Sequence, residues 1–196
     1  EEKKKMRNFC DISSQLNSDD RKKLLLYTEP GACLRAWRLS FIKKNKLYFL
    51  GVPLGEDLFF YWKSCIMAEA VDIVDEFLYM YRQHETQVTK SRNKERISLV
   101  HVFNELEEWM KNENYYSTYF ETFRYAKFLS YFRAALQLSP RYRNEFIREA
   151  KIDITDKLYL LIRFRPIRRS IFLIFCNSYV AKPLEVIGKI FTNFHN

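Results

Sequence analysis

Two adjacent carboxylates stand at a position where a protein could use them as acids or bases. Glu56 and Asp57 follow a loop at 51–55 that contains glycine and proline, and they open a strongly apolar stretch. The first turn of a helix leaves backbone N–H groups unpaired and carries positive partial charge, so a carboxylate there stays ionised at neutral pH. A general base needs that state, and acidic residues are also ordinary at a helix start. The sequence therefore predicts a helix N-terminus and leaves catalysis open.

The spacing of apolar, cap and turn residues predicts the elements that would position this pair. They are a short helix with Ser18 as N-cap, an amphipathic helix at 32–44, a short strand at 46–50, a helix from Glu56 to about Ala70, and a bent or paired strand at 71–82. A polar loop at 83–94 and a well-patterned helix at 95–111 follow. Everything from Tyr115 onward is predicted helical, and 115–138 is apolar nearly all round. The predicted fold class is α+β and mainly helical, with a few short strands.

Composition narrows the function classes. Glycine occurs 4 times in 196 residues and forms neither of the common phosphate-binding loops, which argues against those nucleotide-binding classes. The four cysteines lack metal-ligand spacing. A net charge of +9 suits an anionic partner such as nucleic acid, an acidic lipid surface or a phosphorylated substrate. Charge alone does not choose among these partners.

Several segments, taken in order, resemble the second half of bacterial family-two glycosyltransferases with the GT-A fold. In that family a lysine-leucine-aromatic-arginine helix precedes a Gly-x-x-x-Glu-Asp helix, a strand ending in Tyr-x-Tyr-Arg, and a Ser/Thr loop. The matching segments are 32–42 with its Trp37, the strand at 47–50, 55–60 with its Glu56-Asp57 pair, Leu78 to Arg82, and Thr86 to Thr89. Arg35-Ala36 stands in place of lysine-leucine. The resemblance covers roughly a third of the chain.

The resemblance implies an inverting transfer of a sugar from a nucleotide-sugar donor to a saccharide or lipid-linked acceptor in surface-polysaccharide synthesis. Asp57 would be the general base, and Glu56 would orient the acceptor or tune the base; adjacent residues point in different directions, so only one can be the base. A divalent metal, Mg or Mn, is expected for the family, but its Asp-x-Asp site is not found in this chain; Asp19-Asp20 is better explained by a helix start. The nucleotide-binding half is not found either. Residues 1–112 would therefore be the acceptor-side part of the domain, and residues 113–196 a helical extension.

Four further residues are candidates for substrate binding. Arg82, His84 and Thr86 follow the predicted strand in a loop that could close over the site, where a cationic side chain would offset the charge of a departing diphosphate. Trp37 could stack on the face of a sugar. The alternatives are an exposed loop with an incidental histidine and a tryptophan that belongs to the core.

Arginines interleave with large apolar residues late in the chain, a composition typical of a helix in a membrane interface. They are Arg163, Arg165, Arg168 and Arg169. The predicted location is cytoplasmic, with contact to the inner face of the cell membrane; the alternative is a core helix with a solvated basic rim. A non-catalytic helical domain that binds a protein, nucleic acid or membrane is the competing function. Nucleic acid is not expected as a partner, because neither an RRM-type nor a helix-turn-helix signature is present.

Overall fold

The computed structural model describes residues 17–150, except residues 29, 73, 75, 77, 81, 83, 85, 86 and 88–91. This part of the chain is mainly helical. Its α-helices are α1 (Ser18–Leu26), α2 (Leu39–Lys44), α3 (Glu56–Met67), α4 (Ser98–Asn112), α5 (Tyr116–Gln137) and α6 (Pro140–Glu149). Short 3₁₀ turns lie at Ala32–Leu34 and Lys94–Ile97.

Helix α3 lies at the centre of the core. Every residue from Leu58 to Ile66 is buried, so the helix is covered on all sides. Helices α1 and α4 both pack on it, and α5 packs on α4 and α1. Helix α6 closes the assembly against α5 and the Lys94–Ile97 turn. The element that begins with Glu56 and Asp57 is therefore held firmly along its length and reaches the surface at its first turn.

The 3.6-residue period of α4 places its apolar side chains on one face. Its buried residues follow helical spacing and are Leu99, Val100, Val102, Phe103, Leu106 and Met110. This confirms the helix predicted at 95–111, although its first turn is the 3₁₀ segment. Helix α5 likewise confirms the helix predicted over 115–138, and most of its side chains are buried or half-buried.

A buried arginine completes the carboxyl end of α5. The last carbonyl groups of a helix have no partner within the helix and must be satisfied from outside. Arg143, on α6, donates from Nε to the Ala135 carbonyl at 2.9 Å and from Nη2 to the Leu138 carbonyl at 3.0 Å. Pro140 follows as an early residue of α6, where its missing N–H costs nothing. The sharp turn between α5 and α6 is thus stabilised by the side chain of the second helix.

Two predictions about the first part of the chain were wrong in detail. The cap of α1 is Asn17, not Ser18, because the Asn17 side-chain oxygen accepts from the Asp20 N–H at 2.9 Å. The single helix predicted at 32–44 is broken into the Ala32–Leu34 turn and α2. Arg35 adopts an extended backbone (φ −142°, ψ 155°), which cannot continue a helix.

The strand predicted at 46–50 is irregular, and the described residues of the segment 71–82 belong to no strand either. β-propensity describes how well a side chain fits a pleated, half-buried surface, but a strand forms only where a neighbouring strand pairs with it. No such neighbour lies in the part of the chain that the structure describes. The predicted boundary near residue 113 stays a prediction, as does the extension beyond residue 150, which lies outside the described residues.

Glu107, on α4, accepts two charged hydrogen bonds, one from within α4 and one that joins α4 to α5. Lys111 donates to its Oε1 at 2.7 Å and Lys127, on α5, donates to its Oε2 at 2.8 Å. Burial raises the pKa of this carboxyl, but the hydrogen bonds and charges of the two lysines outweigh burial, so the pKa lies below its ordinary value of 4.5. A lowered pKa in the folded state means that the stabilisation is present above pH 4.5 and is lost as pH falls through the folded-state pKa.

We therefore expect Glu107→Gln to lower the free energy of unfolding by about 1 kcal/mol at pH 7. The difference from the parent chain should shrink as pH falls below 4.5, the carboxyl's ordinary pKa. Urea unfolding at a series of pH values measures both effects. Glu108→Gln removes an exposed carboxylate one residue away and is the control. A loss that stayed constant down to pH 2–3 would contradict an ionic origin.

Candidate functional site

The first turn of α3 presents its two carboxylates differently. Glu56 is exposed, whereas Asp57 is half-buried. The preceding Gly55 is the N-cap residue and lies in the left-handed region (φ 86°, ψ 16°), which turns the chain sharply into the helix. Only one of the two acids therefore faces other parts of the protein, and it is Asp57.

Asp57 is held by a backbone group from another segment. Its Oδ2 accepts from the Ala32 N–H at 3.3 Å. Ala32 begins the 3₁₀ segment, which together with its flanking residues Gly31 and Arg35 forms the 31–35 turn. A carboxylate can accept several hydrogen bonds at its two oxygens, and this backbone donor restricts its rotation. Such a geometry suits a carboxylate that must receive a proton from a defined direction.

Arg35 closes the 31–35 turn from its far end. Its Nη1 donates to the Gly31 carbonyl at 2.8 Å, and its Nη2 donates to Thr28 Oγ1 at 2.9 Å. The guanidinium carbon also lies 3.9 Å from the centre of the Tyr61 ring, on α3. Sequence reasoning missed this cluster of Thr28, Arg35 and Tyr61. The available signal was the Pro30-Gly31 turn before Arg35, together with Tyr61 one helical turn beyond Asp57.

The Tyr61 hydroxyl of this cluster and the neighbouring Cys65 thiol are neutral at physiological pH. Tyr61 donates its hydroxyl to the Leu25 carbonyl at 2.5 Å, and burial followed by the influence of Cys65 raises its pKa well above the usual range. Burial also raises the pKa of the Cys65 thiol to about 11. Both groups therefore remain protonated at pH 7. In the part of the chain that the structure describes, the ionic groups at the first turn of α3 include Glu56, Asp57 and Arg35.

Trp37 lies in an aromatic cluster on α3. Its ring meets Phe60 edge-on, with centroids 4.9 Å apart, and Phe49 stacks on Phe60 at 4.4 Å. Trp37 is half-buried, and Phe49 remains 49 % exposed. The structure therefore shows Trp37 packing against the core while part of the residue stays accessible. Stacking of a sugar on Trp37 stays a prediction.

A buried lysine on α3 was also missed. The Lys63 ammonium lies 5.0 Å from the centre of the Trp109 ring and at similar distances from those of Phe59 and Tyr48. Burial lowers its pKa, and the charge of Glu113 acts in the opposite direction. The aromatic faces give a charged ammonium partial compensation for lost hydration. Lys63 therefore ties α3 to the end of α4 and to the 46–50 segment.

The remaining predicted site residues are not assembled around Asp57 by the contacts described. Arg82 and His84 are exposed, and the Arg82 carbonyl accepts from Gln87 Nε2 at 2.9 Å. Thr86 and the four arginines, Arg163, Arg165, Arg168 and Arg169, lie outside the described residues. Their proposed contacts with substrate or membrane stay predictions.

The described residues do not fit a divalent metal. In this part of the chain no group of three His, Cys, Asp or Glu side chains comes together as ligands. Asp19 and Asp20, the nearest match to an Asp-x-Asp motif, are occupied otherwise: Asn17 Nδ2 donates to Asp20 Oδ2 at 2.8 Å, and Lys22 lies 4.0 Å from Asp19. These contacts belong to the capped start of α1.

Gly55 has a conformational and a steric reason to be glycine. Its φ of +86° is unfavourable for other residues, and a Cβ built on it would lie 2.8 Å from Leu99 Cδ2. We expect Gly55→Ala to lower the free energy of unfolding by about 2 kcal/mol, of which about 1–2 reflects the left-handed backbone. Gly51→Ala is the matched control, because a Cβ at that position would meet nothing within 4 Å, so its change should stay within about 0.5 kcal/mol. Thermal and urea unfolding measure both variants; equal stabilities would contradict the steric argument.

Across the described ranges, no helix combines the length and apolarity needed to cross a bilayer. Comparison with protein-family models, with curated proteins and with solved structures found no match in any of the three.

Proposed function

We propose that this chain is the acceptor-side half of an inverting glycosyltransferase of the GT-A type. The single observation that carries the proposal is the placement of Asp57. It lies at the exposed end of an otherwise buried helix, half-buried, with one oxygen oriented by the Ala32 N–H. The resemblance of residues 32–89 to the second half of family-two transferases assigns the same residue as the base.

The proposed reaction is one displacement at the anomeric carbon of a nucleotide-sugar. An acceptor hydroxyl oxygen attacks that carbon as the bond to the diphosphate oxygen breaks, and the configuration inverts. The hydroxyl proton passes to the Asp57 carboxylate, and the diphosphate leaves with the bonding electrons. A hydroxyl is far too weak an acid to ionise at pH 7, so proton removal in the transition state is required. Exposed Glu56 would orient the acceptor.

The α+β part of the proposal concerns the segments 46–50 and 71–82. In a complete GT-A domain they would pair with strands of a nucleotide-binding half, which would also supply the metal site. The exposed apolar side chains of Val74, Leu78 and Met80 support this, since they would be covered by such pairing. Saccharide or lipid-linked acceptors, a cytoplasmic location and contact with an anionic membrane surface complete the proposal.

The experiment is a transfer assay on the complete natural gene product with a panel of nucleotide-sugars. Release of nucleoside diphosphate should depend on an added saccharide or lipid-linked acceptor. NMR of the product should show an anomeric configuration opposite to that of the donor. Retention of configuration, or no acceptor-dependent release with any donor, would refute the proposal and favour a non-catalytic interaction domain.

A further inference from the structure

We propose that Arg35 is a positioning residue for the Asp57 carboxylate, acting through the 31–35 turn that it holds closed. Arg35 would keep the Ala32 N–H pointed at Asp57. The consequence for catalysis rests on the proposed function, whereas the positioning itself is a property of this chain and can be tested without any assay of transfer.

The backbone hydrogen bonds within the 31–35 turn are long. Its 3₁₀ segment has only three residues, and the backbone bonds that close it, from Leu34 N to Gly31 O and from Arg35 N to Ala32 O, are both 3.2 Å long. Short 3₁₀ turns have poorer hydrogen-bond geometry than α-helices and are marginal alone. The Arg35 side chain returns to the Gly31 carbonyl at the start of the turn and bridges its two ends.

Arg35 also attaches the turn to the helix that carries Asp57. Tyr61 is four residues after Asp57 on α3, so the two side chains lie on the same face, one turn apart. The guanidinium covers the Tyr61 ring while the Ala32 N–H meets Asp57. The turn therefore contacts α3 at two places one helical turn apart: Arg35 lies on Tyr61, and the Ala32 N–H meets Asp57. We expect loss of the Arg35–Tyr61 contact to release the Ala32 N–H from Asp57.

The third anchor comes from the end of α1. Thr28 accepts from Arg35 Nη2, and its own hydroxyl donates to the Leu25 carbonyl at 2.7 Å. The contacts of the guanidinium thus include two divergent hydrogen bonds and one stacking contact. A lysine ammonium is a compact charge and cannot reproduce a planar, stacked fork. Arg35→Lys should consequently keep the charge and lose the positioning.

The test follows the Ala32 amide proton of the ¹⁵N-labelled 196-residue chain during a pH titration. An amide that donates to a carboxylate shifts when the carboxylate ionises, because a charged acceptor makes the stronger bond. We expect Ala32 to report one titration that Asp57→Asn abolishes, which distinguishes Asp57 from neighbouring Glu56. In Arg35→Lys and Arg35→Met the amplitude should fall at least about twofold. Arg38→Met is the matched control: it removes an exposed arginine three residues away, and the amplitude should not change.

Persistence of the full Ala32 titration in both Arg35 variants would overturn the proposal, as would its absence from the parent chain. Should Arg35→Met fail to fold, Arg35→Lys decides the matter, because it keeps the charge and most of the aliphatic stem. In the transfer assay Arg35→Lys should lower kcat with little change in KM. If the Ala32 titration is weakened in the Arg35 variants and the natural gene product transfers no sugar, the proposed function fails and the positioning role of Arg35 stands. If sugar transfer is found and the Ala32 titration keeps its full amplitude in the Arg35 variants, the positioning role fails and the proposed function stands.

Discussion

Asp57→Asn is expected to lower the rate of sugar transfer by about 10²–10⁴-fold, the range typical of a lost general base. The amide keeps the size of the side chain and can still accept from the Ala32 N–H through its oxygen, but it cannot take the acceptor's proton. The fold should therefore survive, and kcat should fall with little change in the KM for the nucleotide-sugar. Steady-state kinetics of the complete gene product measure both quantities.

The control for this prediction is Glu69→Gln, which removes a carboxylate at an exposed position beyond the other end of α3. Glu69 pairs with Lys44 at 3.6 Å on the surface, and the Glu69 side chain is 91 % exposed. Its replacement should leave transfer unchanged. A turnover by Asp57→Asn as fast as that by Glu69→Gln would remove Asp57 from the mechanism.

The largest expected effect on stability is that of Phe123→Ala. Phe123 is fully buried on α5, and its ring meets Trp62 of α3, Phe103 of α4 and Tyr116 of α5, with centroids 5.7 to 5.9 Å apart. Removing a buried aromatic ring loses its transfer free energy and leaves a cavity that close-packed neighbours fill only in part. The free energy of unfolding should fall by about 3–5 kcal/mol.

The same variant tests the boundary predicted near residue 113. Phe123 follows that position in sequence, whereas Trp62 and Phe103 precede it, so a shared core would lose stability as one unit. Urea unfolding followed by tryptophan fluorescence and by helical circular dichroism should give coincident transitions in parent and variant. Phe120→Ala, one turn earlier and only half-buried, is the control and should cost about 1 kcal/mol. Separate transitions, with only one shifted, would instead support two independent domains.

Local sequence was sufficient where one segment dictates its own conformation. The period of apolar residues in α4 identified both the helix and its buried face, because a 3.6-residue repeat can cover only one side of a helix. The start of α3 was predicted from Gly55 and the two acidic residues that follow it in the sequence. The two acids were expected to point in different directions, and Glu56 is exposed while Asp57 is half-buried.

Prediction failed where a distant contact decided the outcome. Helix-forming residues at 32–44 do not form one helix, because Arg35 is drawn to Thr28 and Tyr61 and its backbone is extended. The residues at 46–50 have β-forming side chains without a described neighbouring strand. In each case intrinsic propensity is worth less than about 1 kcal/mol per residue and yields to tertiary contacts.

The sequence by itself determined that this protein is mainly helical and where its acidic helix start lies, since both depend on residues close together in the chain. Only the tertiary structure decided that Asp57 meets Ala32 across 25 positions and that Arg35 braces the same turn. The physical reason is that a hydrogen bond depends on ångström-scale distance and direction, and the packing of α3 sets both.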